Sequence, residues 1–210
     1  MTDHAPLAER TIGDYLRTLG SSDPAPGGGS VAGLVGALAA SLGQMVVSLT
    51  RKDGSSGSLK EQLESLAAAR DSLLTTAAAD ERAYSAYVDA TRMAKGTDEE
   101  KAERRGAMQR AIVNAAMVPL LLAEAACGIL EEMGPVVREG TLHALSDAEM
   151  AVILAQTSVS AGLVNVRVNL PLIKDEARAR GLAARAISVE TRADRLATEL
   201  REALVQRRKR

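Results

Sequence analysis

The chain has 210 residues, with 26 Lys and Arg against 27 Asp and Glu, a formal net charge of −1, 46% apolar and 25% charged residues. This balance excludes an intrinsically disordered chain and a broad basic face, and three tyrosines without Phe or Trp leave no aromatic platform for stacked bases, so nucleic acid is not expected as a partner. A core of Ala, Leu and Val suits closely packed helices rather than a sandwich or barrel, in a single domain spanning 1–210.

The first periodic segment starts after Thr11, presents Tyr15, Leu16 and Leu19, and closes at Gly20, a short amphipathic helix. Next comes Pro24-Ala25-Pro26-Gly27-Gly28-Gly29-Ser30. Two prolines fix the approach, three glycines permit close contact, and Ser30 can cap a following helix. Such a loop offers free amides to an anion or carbonyl, and it is equally a tight turn before a crowded helix. It is not a P-loop, since no Gly-Lys-Ser/Thr follows, and no strand precedes it as a dinucleotide site requires. Residues 31–50 contain no charge and could span a bilayer by length, but Ser41, Gln44 and Ser48 favour a buried central helix, and no membrane is expected. Gly29, Gly36 and Gly43 recur every seven residues, so one stripe of that helix invites close backbone packing.

Three capping boxes follow: Ser58 with Glu61, Thr97 with Glu100, and Ser146 with Glu149. The first predicts a helix through Leu63, Leu66, Leu73, Leu74 and Tyr84 to about residue 94. The second predicts a long helix bent near Pro119 and stopped near Met133 by Gly134-Pro135. The third predicts a helix from Asp147 to about Ile173. Residues 164–169 alternate with period two inside it, but no partner strand exists elsewhere, so they are assigned to the helix. A final amphipathic helix runs from about Asp175 to the basic tail Arg207-Arg208-Lys209-Arg210, which suits a helix C-terminus as well as a nucleic-acid contact. The fold expected is all-α: six or seven helices, several long, around a central Gly/Ala-rich helix. The lone Cys127 can make no intramolecular disulfide, and with no leader-like N-terminus the chain is expected to be cytoplasmic. His4 and His143 lie far apart, no Cys/His cluster has ligand spacing, and no metal is expected.

Taken together, Asp23-Pro24-Ala25-Pro26-Gly27-Gly28-Gly29-Ser30-Val31-Ala32-Gly33 and the Gly/Ala-rich helix ending Leu49-Thr50 resemble the cyclodeaminase/cyclohydrolase family. That family comprises the C-terminal domain of formiminotransferase-cyclodeaminase and bacterial methenyltetrahydrofolate cyclohydrolases. Asp80-Glu81-Arg82-Ala83-Tyr84 is similar to its Asp-x-x-Ala-Phe, and Lys95-Gly96-Thr97-Asp98-Glu99-Glu100-Lys101 to its charged turn. Val118-Pro119-Leu120, Ser146-Asp147-Ala148 and Asn165-Val166-Arg167-Val168-Asn169-Leu170 fall in the same order, over roughly 10–176. The segment after Thr50, and His143 and Glu149 around Ser146-Asp147-Ala148, depart from the family pattern.

The resemblance implies an all-α homodimer whose folate-binding cleft is lined by the glycine-rich loop, with a tetrahydrofolate derivative as substrate and no cofactor. It implies either hydrolysis of 5,10-methenyltetrahydrofolate to 10-formyltetrahydrofolate or cyclodeamination of formiminotetrahydrofolate; an inactive folate-binding relative and a purely structural dimer are the alternatives. Each reaction passes through a tetrahedral carbon and needs proton transfers. Asp80, Asp147 and Lys52 are the implied catalytic candidates. Pro26, Gly27, Gly28, Gly29, Ser30, Thr50, Tyr84, Lys95, His143, Asn165, Arg167 and Asn169 are the implied substrate contacts. From the residues alone, Asp80 reads as an exposed mid-helix acid, Asp147 as a helix-start acid, and Lys52 as a charged helix end. Arg167, costly to bury unpaired, is expected to pair with Asp80 or Asp147 or to bind the folate glutamate. Asn165 and Asn169, four apart, are expected to read pterin edges or to bridge helices.

Overall fold

The computed structural model describes residues 7–52 and 59–209. Ser58, and with it the first capping box, lies outside the described residues, as do His4 and Arg210. The described residues form six α-helices and three short 3₁₀ turns, with no strand: α1 (Ile12–Leu19), α2 (Gly28–Lys52), α3 (Lys60–Arg92), α4 (Asp98–Glu139), α5 (Leu145–Asn169) and α6 (Glu176–Arg207). The period-two segment 164–169 is helical, as expected, because α2, α4 and α6 surround α5 and no strand partner exists among the described residues.

Local capping explains most boundaries. Thr11 accepts from the Asp14 amide to start α1, Asp175 accepts from the Arg178 amide to start α6, and Thr97 with Glu100 forms the expected reciprocal box at α4. The third box does not form. A 3₁₀ turn, Leu142–Ala144, feeds straight into α5, so Ser146 is already inside the helix and cannot cap it. Glu149 instead pairs with Arg208.

Gly134-Pro135 does not stop α4, which continues to Glu139. A helical proline frees one carbonyl, four residues back. For Pro135 that carbonyl belongs to exposed Glu131, where water can reach it. For buried Pro119 it belongs to Ala115, and the Asn169 side-chain amide donates to it at 3.0 Å. The true end of α4 is closed by Arg207, whose guanidinium donates to the carbonyls of Val137 and Gly140 at 2.8 and 2.7 Å. The basic tail thus caps a neighbouring helix rather than complementing only its own.

Buried α2 packs on α3, α4 and α5 through its glycine stripe. A Cβ at Gly33 would stand 2.7 Å from the Ala77 Cβ, one at Gly36 2.7 Å from the Ser158 hydroxyl, and one at Gly43 2.9 Å from the Met133 sulfur. Ser158 donates to the Ala32 carbonyl, tying α5 to α2. These contacts make α2 antiparallel to both α3 and α5. A smaller cluster of Leu7, Tyr15 and Ala77 docks the N-terminal segment on α2 and α3. Three segments, Gly28–Lys52, Asp98–Glu139 and Leu142–Leu172, are long and apolar enough to cross a bilayer; about half of each apolar stretch is buried against other helices.

Candidate functional site

The start of α2 and the middle of α3 meet at Gly29 and Asp80. Gly29 has no side chain, and the Asp80 carboxylate occupies the space a Cβ would take. Pro26 and Ser30 are buried, Gly27 is half-buried and Gly28 exposed, with Asn165 beyond it. Because the first bond of α2 runs from the Val31 amide to the Gly27 carbonyl, the amides of Gly28, Gly29 and Ser30 have no acceptor in their own helix.

Asp80 heads a cavity of about 180 Å³ lined also by Tyr84 and Tyr87 of α3, Ile112 and Ala115 of α4, and Asn165 and Asn169 of α5. Positions 80, 84 and 87 share one face of α3 by helical spacing. Burial, and to a lesser extent the neighbouring Glu81 carboxylate, push the Asp80 carboxyl up from 3.8 to about 6. A carboxyl with that proton affinity exchanges protons readily near neutrality and is still mostly anionic at pH 7. The Asn165 amide nitrogen donates to the Ala161 carbonyl, and that of Asn169 to the Ala115 and Asn165 carbonyls. Each asparagine therefore has its oxygen left to offer as an acceptor.

The sequence-derived candidates separate into distinct places. Pro26 to Ser30, Asp80, Tyr84, Asn165 and Asn169 converge at one end of the bundle. Thr50, Lys52, His143 and Asp147 lie at the other end, roughly 30 Å away along α2 at 1.5 Å per residue. There Thr50 accepts from the Thr141 amide at 2.8 Å and donates to the Val46 carbonyl, a helix-end lock in the buried core. Lys52 and His143 are exposed, and Asp147 is half-buried in the first turn of α5. Lys95 is exposed in the turn between α3 and α4, roughly 20 Å beyond Asp80. Arg167 reaches neither aspartate: it turns away from the cavity and pairs with Glu190 of α6.

Several residues at this site escaped sequence reasoning. Tyr87 had a readable signal, since it extends Asp80 and Tyr84 at helical spacing. Behind Asp80, Glu81 accepts a fork of hydrogen bonds from Arg10 at 3.3 and 3.0 Å and another from the Ser30 hydroxyl at 2.9 Å, while Tyr15 donates to Ser30 at 3.1 Å. No local pattern joins residues 71 positions apart.

The model of the formiminotransferase-cyclodeaminase family matches residues 11–188. Methenyltetrahydrofolate cyclohydrolase of Methylorubrum extorquens is 35% identical over 80% of this chain and 82% of its own length. Formimidoyltransferase-cyclodeaminase of Mus musculus is 32% identical over 81% of this chain, which spans about a third (32%) of that protein. The crystal structure of formiminotetrahydrofolate cyclodeaminase from Thermotoga maritima superposes with a TM-score of 0.83 at 23% identity, covering 95% of this chain and 98% of that one, a likeness of fold.

Proposed function

The chain belongs to the formiminotransferase-cyclodeaminase family, and from that premise we propose that it hydrolyses the one-carbon bridge of 5,10-methenyltetrahydrofolate, giving 10-formyltetrahydrofolate, at the cavity headed by Asp80. The observation that carries this reading is the Asp80 carboxyl, poised near 6 between the glycine-rich start of α2 and the asparagine pair of α5. The methenyl bridge is a cation, and an anionic carboxylate in a partly desolvated pocket stabilises it. Water adds to the bridge carbon as Asp80 takes one of its protons. The same proton then passes to N5 as the carbon–N5 bond breaks. The hydroxyl on the bridge carbon gives its remaining proton to solvent and becomes the formyl carbonyl on N10, so the charge of the cation leaves as one net proton. Asp80 relays one of the water's two protons, with the folate as substrate and no separate cofactor. The oxygens of Asn165 and Asn169 suit the N–H edges of a pterin.

Cyclodeamination of formiminotetrahydrofolate is the second reading, resting on the identity to the mouse protein. The cyclohydrolase is favoured because that relative is matched over most of both chains.

The same proposal includes a homodimer acting in the cytoplasm. The cavity is smaller than the ~300–1,000 Å³ of sites that enclose a drug-sized ligand. Leu38, Met45 and Leu49 of α2 and Met150, Ile153 and Val164 of α5 are exposed on two helices packed together, and we read them as one apolar strip running from the cavity end toward the far end of the bundle. A two-fold pairing of antiparallel copies along that strip would carry Lys52, His143 and Asp147 of one copy toward the Asp80 end of the other. Following loss of the methenyl chromophore, and separately ammonia release from formiminotetrahydrofolate, tests the assignment. Turnover of the methenyl compound is expected; release of ammonia alone would establish the second reading, and turnover of neither would overturn both.

A further inference from the structure

Pro119 lies buried inside α4, where its ring removes one bond of the helix and leaves the Ala115 carbonyl without its helical donor. The proposed chemistry gives this proline no part. Ala115 lines the cavity, however, and the donor that takes over belongs to another cavity residue, the Asn169 side-chain amide at 3.0 Å. The same nitrogen donates to the Asn165 carbonyl at 2.9 Å. Its two hydrogens are thus committed to two main-chain carbonyls. Turning the amide over would set its oxygen against both carbonyl oxygens, so hydrogen bonding alone fixes which way the group lies. Among the described residues no donor reaches the Asn169 oxygen, and no fully buried side-chain polar atom lacks a partner, so this oxygen is open to a ligand. Because α3 and α5 both run antiparallel to α2, they are parallel to each other. Tyr84 and Asn169 therefore follow Asp80 and Asn165 by one turn in the same direction, about 6 Å along the cavity.

We propose that Pro119 is a positioning residue for substrate: through the Ala115 carbonyl it holds the Asn169 oxygen toward the cavity, where that oxygen accepts from the 2-amino group of the pterin. The inference rests on the reading of the cavity as a folate site. A folate whose one-carbon bridge lies at Asp80 then carries its pyrimidine ring one turn further on, at Asn169. An acceptor held in place beforehand needs no reorganisation when the ligand arrives. It also rejects a ligand that brings no N–H there, because the acceptor is then left unpaired. Without the proline, residue 119 regains an N–H, the Ala115 carbonyl returns to its ordinary helical bond, and the Asn169 amide loses the demand that orients it.

Titration calorimetry with two stable quinazoline folate analogues, 5,8-dideazafolate and its 2-desamino-2-methyl counterpart, isolates this contact, since the two differ only at that amino group. Wild type should bind the amino compound about 10-fold more tightly, the scale of one hydrogen bond at a partly buried site. Pro119→Ala, a change to a better helix former, should lose most of that preference. With the methenyl substrate the same variant should raise KM by about 10-fold while kcat stays within a few-fold, the pattern of lost binding common to ground and transition states. Equal binding of both analogues by wild type, or an undiminished preference in Pro119→Ala, overturns the inference and leaves the folate reading standing. Binding of neither analogue by wild type overturns the folate reading itself, and this inference with it. Asn169→Leu, alone and combined with Pro119→Ala, separates selection from stability. The combined variant should regain stability but not the preference for the amino compound, and a preference kept in either variant overturns the inference.

Discussion

Asp80 is under opposed demands from stability and chemistry. Burial favours its neutral form, whereas the proposed reaction needs an anion at neutral pH. The unfolded carboxyl titrates near 3.8 and the folded one near 6. Between those values the folded protein holds the extra proton, so stability falls as pH rises through the window and stays reduced above it. Asparagine does not titrate and escapes the penalty. Asp80→Asn is therefore expected to raise the melting temperature above pH 6, by the equivalent of about 1–2 kcal/mol, and to lose that advantage below pH 4. Calorimetry at pH 4 and pH 7.5 checks this; an equal or lower melting temperature at pH 7.5 would count against the burial argument. At this scale the family resemblance pointed to Asp80 and the glycine loop, because both fall in short local motifs. It could not place Arg167, whose partner Glu190 sits on a different helix, nor link Arg10 to Glu81.

At the level of elements, the glycines divide by what surrounds them. A Cβ added at Gly33 would stand 2.7 Å from the Ala77 Cβ and 3.0 Å from the Leu73 carbonyl, neither of which can yield cheaply, whereas one added at Gly181 of α6 would meet open space. Gly33→Ala should destabilise the fold by about 1–3 kcal/mol through overpacking. Gly181→Ala should stabilise it by about 0.5–1 kcal/mol through helix propensity alone. Denaturant unfolding of both variants separates the two cases, and equal effects would contradict the close approach of α2 and α3. Asn169 is a second test. Its amide serves the carbonyl that Pro119 frees, so Asn169→Leu should cost about 1–3 kcal/mol, and Pro119→Ala in the same chain should recover much of it. The Thr97 box was legible because both partners lie within one turn. The stop expected at Gly134-Pro135 was not real, since what ends α4 is Arg207, about 70 residues downstream.

Across the whole molecule, α2 and α5 run antiparallel and separate the sequence candidates to opposite ends of one chain. The distance from Gly29 to Thr50 follows from the one long helix the sequence predicts. Order along the sequence could not reveal that α3 and α5 return antiparallel and bring Asp80 and Asn165 to the Gly29 end. A dimer along the exposed strip of α2 and α5 would reunite the separated candidates. Light scattering at micromolar concentration should give about twice the 22.0 kDa chain mass. Ile153→Glu, 40% exposed in the single chain and midway along α5, should shift the protein toward monomer. A wild type already monomeric would remove the dimer from the proposal. The central claim, that Asp80 performs the proton transfers on the one-carbon bridge, is tested most directly by kcat for loss of the methenyl chromophore at pH 7 in wild type and Asp80→Asn, each verified as folded and of the same mass. A fall of about 100-fold or more is expected for a lost acid–base group; turnover by Asp80→Asn within a few-fold of wild type would contradict it.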